Sequence, residues 1–390
     1  GSGYGIKATG DAKLTITLNG ENSVTLPAGG GIWAAGDVEI TGAGKLAVNV
    51  GGENYDGISV MGNVSIKGVE VRINAPGGIG IAGNMVSVDN AKLESKGLYA
   101  GVDSCGLVIE NGSDVTLEST KDNCNAAYIH FGEGESGGNI VLSDSKVTAN
   151  SSYPGLYAIK NFRIHGGEIQ STSSTDSSLW AGGDLTVEGG ARLVLDGKYP
   201  AGCGGTFTVG AASIKSDNTN EDNVPAISDS PVILEDYELT YAMAIDSEGT
   251  QIDLLKQEHG SEHLHLYKHV EFVTTERTAT YELPFTKTVK QGGSVAPGQE
   301  TFSLEIFDIG NGNANEYKDV TYTASVKTNG AGDYEGVLTI TGPASQVQQF
   351  ICEGFFVREV KGSAANWTYS DAVWHVGYEQ LAGEGYTITF

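Results

Sequence analysis

Hydrophobic and polar positions alternate in short stretches along the first half of the chain, and the alternation recurs as one phrase. The phrase is Gly-aliphatic-x-aliphatic-x-Gly-Asp/Asn-aliphatic-x-aliphatic, and clear copies begin at Gly31, Gly57, Gly78, Gly155 and Ser178. Alternation with a period of two predicts β-strands with one buried face, and the Gly-Asp or Gly-Asn step predicts a turn between two strands. The first half is therefore expected to consist of many short strands.

Successive copies of the phrase lie 19 to 29 residues apart, which is a spacing typical of a β-solenoid. Each copy is followed by a third alternating segment, so that every coil contains three strands. Stacked coils bury their apolar faces continuously and pair each strand with the coils above and below. We predict a parallel β-helix over residues 1–225, right-handed by the rule for parallel crossovers. Its aligned anchoring residues are Ile32, Ile58, Ile79, Leu98, Ala127, Leu156 and Leu179.

The second half of the chain has a different pattern. Residues 226–281 lose the repeat and are predicted to be a cap and connector. From Glu282 onward, separate strand-like segments such as ETFSLEIFD, YEGVLTITG and GFFVREV follow one another at the spacing of a β-sandwich. The predicted fold class is all-β, with a right-handed parallel β-helix followed by a pilin-like or immunoglobulin-like β-sandwich over residues 282–390.

The carboxy-terminal segments resemble pilin-like, isopeptide-forming modules of Gram-positive pili and surface adhesins. The similarity lies in FTKTV around Lys287, in Glu300–Ile306, in Gly336–Ile340 and in FVRE ending at Glu359. The resemblance implies that Lys287 condenses with an asparagine while Glu359 shuttles protons, an autocatalytic reaction within the chain. That asparagine is expected after a last strand such as GYTITF, beyond Phe390. The alternative is that Lys287 and Glu359 form an ordinary surface or semi-buried ion pair.

The GD-x-x-I-x-G phrasing of the first half resembles solenoid regions of clostridial surface proteins that are often described as carbohydrate-binding. This resemblance implies glycan binding by the predicted β-helix. Together, the two resemblances imply an extracellular protein at the cell wall of a Gram-positive bacterium.

An outward-facing aromatic row is predicted on the solenoid. The residue that follows each anchoring aliphatic points away from the core, because side chains alternate along a strand. In four consecutive coils this residue is aromatic, with about 4.8 Å between coils. Aromatic faces stack on pyranose rings, so the row is a glycan-binding candidate, and the alternative is an aromatic ladder that only stabilises the strands. The four residues are Tyr99, Tyr128, Tyr157 and Trp180.

Four of the seven histidines lie within EHGSEHLHLYKH, as His259, His263, His265 and His269. In a strand, His263 and His265 would share a face, which makes His263, His265 and His269 candidates for a transition-metal site. The alternative is a solvent-facing strand without metal. No cofactor is expected, although the Asp-rich segments KSDNTNEDN and STKDNCN leave calcium open without following the EF-hand pattern.

Composition narrows the choice of partners. Asp and Glu number 49 against 23 Lys and Arg, a formal charge of −26, so nucleic acids and anionic membranes should be repelled. No run reaches the ~18 apolar residues of a membrane helix, so no membrane insertion is expected. Gly1-Ser2-Gly3 is typical of an expression remnant, and any natural signal or anchor is expected outside these residues. The four cysteines show no C-x-x-C spacing; a bridge between Cys105 and Cys124 stays open.

The favoured function is a non-enzymatic surface adhesin or stalk, in which the β-helix presents a face to a glycan or a host surface protein and the pilin-like module tethers it. A monomer is expected. The alternative is a polysaccharide-active enzyme, a lyase or glycoside hydrolase, that uses the β-helix groove, with Arg163 and His165 as its only conspicuous basic pair. A structural spacer is the third possibility.

Overall fold

The structure is a computed structural model that describes residues 3–132, 137–219, 224–246, 248–258, 260–309, 317–363, 367–380 and 386–389. The chain forms two compact units, Gly1–Thr275 and Glu276–Phe390. The predicted boundaries near residues 225 and 281 stay predictions. The all-β class is confirmed, because strands make up 59% of the chain and helices 6%.

The first unit is a β-solenoid of about 10 turns, which confirms the solenoid prediction; its handedness stays a prediction. Successive coils pair in parallel along three ladders. The first ladder contains β1 (Gly3–Ala8), β4 (Gly29–Ala34), β7 (Ile58–Val60), β14 (Ala127–Ile129), β17 (Leu156–Ala158), β20 (Leu179–Ala181) and β23 (Ala201–Cys203). The second ladder contains β2 (Leu14–Leu18), β5 (Val38–Gly42), β8 (Val64–Lys67), β15 (Ile140–Ser143), β18 (Phe162–His165), β21 (Leu185–Glu188), β24 (Phe207–Val209) and β26 (Val232–Ile233).

Two longer strands, β10 (Ile79–Asp89) and β12 (Ala100–Glu110), run through both the first and the second ladder. The third ladder lies on the other side of the core and is also parallel. Its strands are β3 (Glu21–Leu26), β6 (Lys45–Val50), β9 (Glu70–Ala75), β11 (Lys92–Gly97), β13 (Asp114–Ser119), β16 (Lys146–Ser151), β19 (Glu168–Ser173), β22 (Ala191–Gly197) and β25 (Ala212–Asn218).

The core of the solenoid is a set of aliphatic rows that run from coil to coil. In the first ladder the inward row is at most 2% exposed, so each coil contributes one aliphatic side chain to the same buried line. Two predicted anchors are corrected, because the strand register places Ile81 in the row instead of Ile79, and Val102 instead of Leu98. The row contains Ile32, Ile58, Ile81, Val102, Ala127, Leu156, Leu179 and Ala201.

The Asp or Asn of the repeated phrase has a structural role at the turn between the first two ladders. Asn139 Oδ1 accepts a hydrogen bond from the backbone N–H of Asn161 at 3.0 Å, and Asn161 Oδ1 accepts one from Asp184 N–H at 2.9 Å. Asp184 Oδ1 continues the row by accepting from Thr206 N–H at 2.8 Å. Each side chain thus satisfies an amide of the next coil, which explains why the phrase requires a short acceptor side chain.

Parallel stacking ends where the chain reverses. After β27 (Tyr237–Ile245) and β28 (Gln251–Asp253), the short 3₁₀ helices Leu254–Lys256 and Gly260–Leu266 lead to β29 (His269–Glu276), which pairs antiparallel with β25. A reversed strand on the last coil covers an edge that would otherwise expose unpaired backbone groups.

Within its described residues, the second unit contains one helix and seven strands, in the sheet order β30-β33-β32-β31-β34-β35-β36. The pairings are antiparallel, and the two-sheet packing of a β-sandwich stays a prediction. The helix α1 (Ala344–Glu353) was not predicted; it buries Val347, Phe350 and Ile351, the i, i+3, i+4 face of an amphipathic helix. The strands are β30 (Thr278–Val289), β31 (Gln299–Ile309), β32 (Thr321–Asn329), β33 (Gly332–Pro343), β34 (Phe355–Glu359), β35 (Val373–Gln380) and β36 (Tyr386–Thr389).

The row of turn side chains predicts a local stability effect. Asn161→Ala removes the acceptor of the Asp184 N–H and should lower the free energy of unfolding by about 1 kcal/mol, the usual net value of one hydrogen bond. Urea unfolding measures the change. Gln170→Ala, at an exposed position of β19, is the control and should stay within about 0.5 kcal/mol of the original chain. Equal unfolding curves for both variants would contradict the proposed role of the turn.

Candidate functional site

The outward residues of the first ladder form one row, which we call the outward file. Each member except the buried Gly202 is half-buried and lies next to an inward residue, and each pairs by register with the equivalent residue of a neighbouring coil. The predicted succession of Tyr128, Tyr157 and Trp180 is present in this file. From β4 to β23 the file contains Trp33, Ser59, Ala82, Asp103, Tyr128, Tyr157, Trp180 and Gly202.

The position of Tyr99 in this file is corrected. Tyr128 pairs with Asp103, and Tyr99 lies just before β12, where Leu98 N–H bonds to the carbonyl of Gly78 in the turn. Tyr99 is 36% exposed, and the Lys121 ammonium lies 4.3 Å from its ring centre. Tyr99 is therefore an exposed aromatic residue outside the file.

Three outward aromatic side chains lie on adjacent coils. The rings of Tyr128 and Tyr157 are stacked, with centres 5.4 Å apart and an interplanar angle of 29°. Trp180 occupies the next coil beside Tyr157. Offset stacking at this separation stabilises the pair of rings.

Beside Tyr157 and Trp180 is a groove with a volume of about 520 Å³. Two further aromatic side chains, Tyr153 and Tyr199, form part of its wall. Sequence reasoning missed both, although each belongs to a Tyr-Pro dipeptide just before a first-ladder strand. We name this feature the aromatic groove. It is lined by Tyr153, Pro154, Tyr157, Asp176, Ser177, Trp180, Tyr199, Ala201, Val224, Pro225 and Ser228.

The position of the Trp180 ring depends on the glycine of the next coil. A Cβ atom at Gly202 would lie 2.5 Å from Cζ3 and 2.7 Å from Cε3 of Trp180. The indole therefore lies across the backbone of Gly202, in space that any other residue would fill. Glycine is needed at position 202 because it lets the Trp180 ring approach the backbone closely.

Polar groups line the edge of the aromatic groove. Asp176 Oδ1 accepts a hydrogen bond from Ser177 N–H at 2.6 Å, and Ser228 contributes a hydroxyl group. Burial raises the pKa of Tyr157, and the neighbouring phenols of Tyr128 and Tyr153 raise it further. The Tyr157 hydroxyl therefore stays protonated at neutral pH and can donate a hydrogen bond. Flat apolar faces with polar groups at their margin suit a ligand that has both kinds of surface.

The histidine cluster does not adopt the predicted strand. His263 and His265 lie in the 3₁₀ helix Gly260–Leu266, so the shared strand face on which the metal hypothesis rested is wrong. His265 Nδ1 is 2.8 Å from Ser230 Oγ, and His269 Nδ1 is 3.0 Å from Asp217 Oδ1. His259 lies outside the described residues. Within the described part of the chain, no group of three or more His, Cys, Asp or Glu residues could hold a metal ion.

Lys287 and Glu359 come together in the second unit. Lys287 Nζ is 2.5 Å from Glu359 Oε2, and the two side chains are 16% and 3% exposed. The ammonium also lies 4.1 Å from the ring centre of Phe302. Glu359 Oε1 is buried and has no hydrogen-bond partner among the described residues. The pair lines a cavity of about 500 Å³, so it is not an ordinary surface ion pair.

The basic pair considered for catalysis lies on the second ladder. Arg163 Nη2 is 2.6 Å from Glu188 Oε1, and His165 Nδ1 is 3.7 Å from the same oxygen. Both basic side chains are more than half exposed. They form a surface ion-pair cluster and do not line the aromatic groove.

Comparison with models of protein families gave a match for the first half of the chain. Residues 6–199, just under half of the 390-residue chain, match a family model described as "Carbohydrate-binding domain-containing protein". The matched region includes Tyr153, Tyr157, Trp180 and Tyr199 of the aromatic groove. No curated protein matches the chain, and neither does any solved structure.

The Trp180 contact predicts a specific effect of a small substitution. Gly202→Ala should displace the indole and lower the free energy of unfolding by about 1–3 kcal/mol through overpacking. Urea unfolding followed by tryptophan fluorescence measures both changes. In Gly10→Ala the added methyl group meets no atom within 4 Å, so this variant is the control.

A double-mutant cycle tests the cause of that effect. In a Trp180→Ala background, Gly202→Ala should cost little, because the clashing ring has been removed. The same cost in both backgrounds would show that Gly202 matters for another reason.

Proposed function

We propose that the first unit binds a glycan in the aromatic groove. The observation that carries this proposal is the placement of Tyr153, Tyr157, Trp180 and Tyr199 around one groove on the solenoid. Aromatic faces contact the apolar faces of pyranose rings, while carboxylate and hydroxyl groups at the margin bond sugar hydroxyls. The family match and the β-solenoid fit a carbohydrate-binding surface protein.

Charge favours an uncharged glycan as the ligand. The chain carries a formal charge of −26, and the groove itself contains the carboxylate of Asp176. An acidic polysaccharide would be repelled by this field, and its carboxylates would face Asp176. Neutral hexose or N-acetylhexosamine chains meet neither obstacle.

The wider role follows from this binding site. The protein acts as an extracellular adhesin or stalk on a Gram-positive cell wall, where the solenoid presents the groove and the second unit serves as the tether. The partner is a glycan of the host or of another cell rather than a host protein, and the chain works as a monomer. The groove binds its ligand without transforming it, since Arg163 and His165 of the enzymatic alternative both face Glu188. No helix in the described ranges is long and apolar enough to span a membrane.

Glycan binding should depend on the groove aromatics. Tyr157→Ala and Trp180→Ala should each weaken binding of a neutral oligosaccharide at least about tenfold, equivalent to about 1.4 kcal/mol, because each removes a stacking face. A glycan array identifies the ligand, and calorimetry then measures the affinity of each variant.

Two control variants make the test specific. Trp33→Ala removes an aromatic residue of the same outward file, far from the groove, and Tyr99→Ala removes the exposed ring outside the file. Both should bind as the original chain does. If they lose affinity equally, or if no neutral glycan binds, the groove is not the site and the spacer role is favoured.

The second unit is proposed to form an intramolecular isopeptide bond. The supporting observation is the short contact between Lys287 Nζ and Glu359 Oε2 next to the Phe302 ring. A lysine amine is a nucleophile only when neutral, and a protonated carboxyl group beside it can polarise an amide carbonyl. The unpartnered Oε1 of Glu359 is available to contact the asparagine side chain that the resemblance implies.

Intact mass tests the isopeptide bond. A chain that continues past Phe390 should be about 17 Da lighter than its sequence mass, because condensation of Lys287 with asparagine releases ammonia. Lys287→Arg and Glu359→Gln should restore the full mass, and Lys290→Arg, on an exposed lysine nearby, should not. An unchanged mass in the original chain would refute the bond and leave Lys287 and Glu359 as a buried ion pair.

A further inference from the structure

Three chemically reactive side chains meet on the outward face of the first ladder, away from the aromatic groove. Asp103 and Cys105 are alternate residues of β12 and therefore point to the same side. The register pairs Ser104 with Ile129 of the next coil, which brings His130 beside Cys105. Stacking of two coils thus assembles a group whose members lie 25 residues apart along the chain.

The three side chains are joined through the two nitrogens of one imidazole. Cys105 Sγ lies 3.7 Å from Nδ1 of His130, and Asp103 Oδ1 lies 3.2 Å from Nε2. Because sulfur and carboxylate contact opposite edges of the ring, one metal ion cannot bind all three side chains in this arrangement. The arrangement is instead that of an activated nucleophile, in which a carboxylate orients a base and the base contacts a thiol.

A base role for His130 requires the tautomer that holds its proton on Nε2. The Asp103 carboxylate accepts a proton held on Nε2, which leaves Nδ1 free to accept the thiol proton of Cys105. The Phe131 carbonyl oxygen, 3.2 Å from Nδ1, can then accept the bond that the charged ring donates. Burial raises the pKa of Cys105, and the charge of Asp103 adds to this rise, so the thiol needs a base at neutral pH. His130 is placed to be that base.

A hollow of about 360 Å³ lies in front of the cluster. Its other wall is mainly apolar and includes Met61, Ile79 and Ala82. Met61 is 74% exposed and adds apolar surface beside the cluster. The hollow can hold a small apolar group whose reacting carbon faces Cys105.

We propose that Cys105 is a nucleophile that accepts an acyl group from carboxylic esters with a small acyl part, such as O-acetyl esters. Sγ attacks the ester carbonyl carbon, and its proton passes to Nδ1 of His130. The C–O bond breaks, the alcohol leaves with that proton, and a thioester remains on Cys105. Water then attacks the thioester by the same proton path, which releases the carboxylic acid and restores the thiol. His130 is the catalytic base, and Asp103 is a positioning residue.

The full chain treated with p-nitrophenyl acetate tests this proposal without any glycan, so its failure and failure of the proposed groove are distinguishable. Nitrophenolate release gives the rate, and peptide mass mapping shows which cysteine carries the acetyl group. Cys124 is the internal control, because it is also partly buried and burial raises its pKa as well. We expect Cys105 to acetylate at least about tenfold faster than Cys124, since only Cys105 has a general base in contact.

Variants then assign the roles. His130→Gln should lower acetylation of Cys105 by about 100-fold and leave Cys124 unchanged. Asp103→Asn should lower it less, and Asp103→Glu should restore part of the loss. The comparison of the two cysteines in the original chain needs no variant, so it stands even if a substitution prevents folding. Equal acetylation of Cys105 and Cys124, or an unchanged rate in His130→Gln, would overturn the proposal.

Discussion

The structure depends on one constraint, the parallel register between successive coils. Strands of successive coils hydrogen-bond to one another about 4.8 Å apart, so equivalent positions of the coils lie side by side along the unit. Inward, this produces the continuous aliphatic row from Ile32 to Ala201. At the turns it produces the row of Asn and Asp acceptors, and outward it produces the file that leads to the aromatic groove. Core, turn and surface are consequences of the same pairing.

The same constraint explains what the sequence could predict. Where a coil retains the Asp or Asn of the turn, as at Asn161 and Asp184, the phrase fixes the register, and the adjacency of Tyr157 and Trp180 was predicted correctly. In β10 and β12 the first two ladders run together as single strands of 11 residues. β10 still contains Gly83-Asn84, but β12 has Ser104-Cys105 at the equivalent place, so the turn signal is absent from the coil of β12. The alignment that placed Tyr99 in the outward file was therefore wrong by four positions, and Asp103 occupies the file in that coil.

Other features could not be predicted because they depend on contacts distant in sequence. Tyr153 and Tyr199 precede strands of different coils, and only stacking brings them to one groove. The segment His263-Leu264-His265 alternates polar and apolar residues as a strand does. In the structure it belongs to the 3₁₀ helix Gly260–Leu266. Gly260 packs closely on the Leu254 backbone, since a Cβ atom at Gly260 would lie 1.8 Å from the Leu254 carbonyl oxygen. Lys287 and Glu359 were paired from the resemblance alone; the two residues are 72 positions apart, and in the sheet order three strands lie between β30 and β34, so no local pattern predicts their contact.

The ladder also determines how neighbouring sites affect one another. In a solenoid each coil contacts mainly the coils beside it, so a substitution acts locally. The aromatic groove and the Cys105–His130–Asp103 cluster occupy separate coils, but one side chain contacts both regions: Tyr128 stacks on Tyr157 at 5.4 Å and lies 6.0 Å from the His130 ring. A ligand that displaces Tyr157 therefore acts on Tyr128, and through it on the ring whose orientation sets the proton path to Cys105. Tyr128 is therefore a residue whose ring contacts physically connect the two regions.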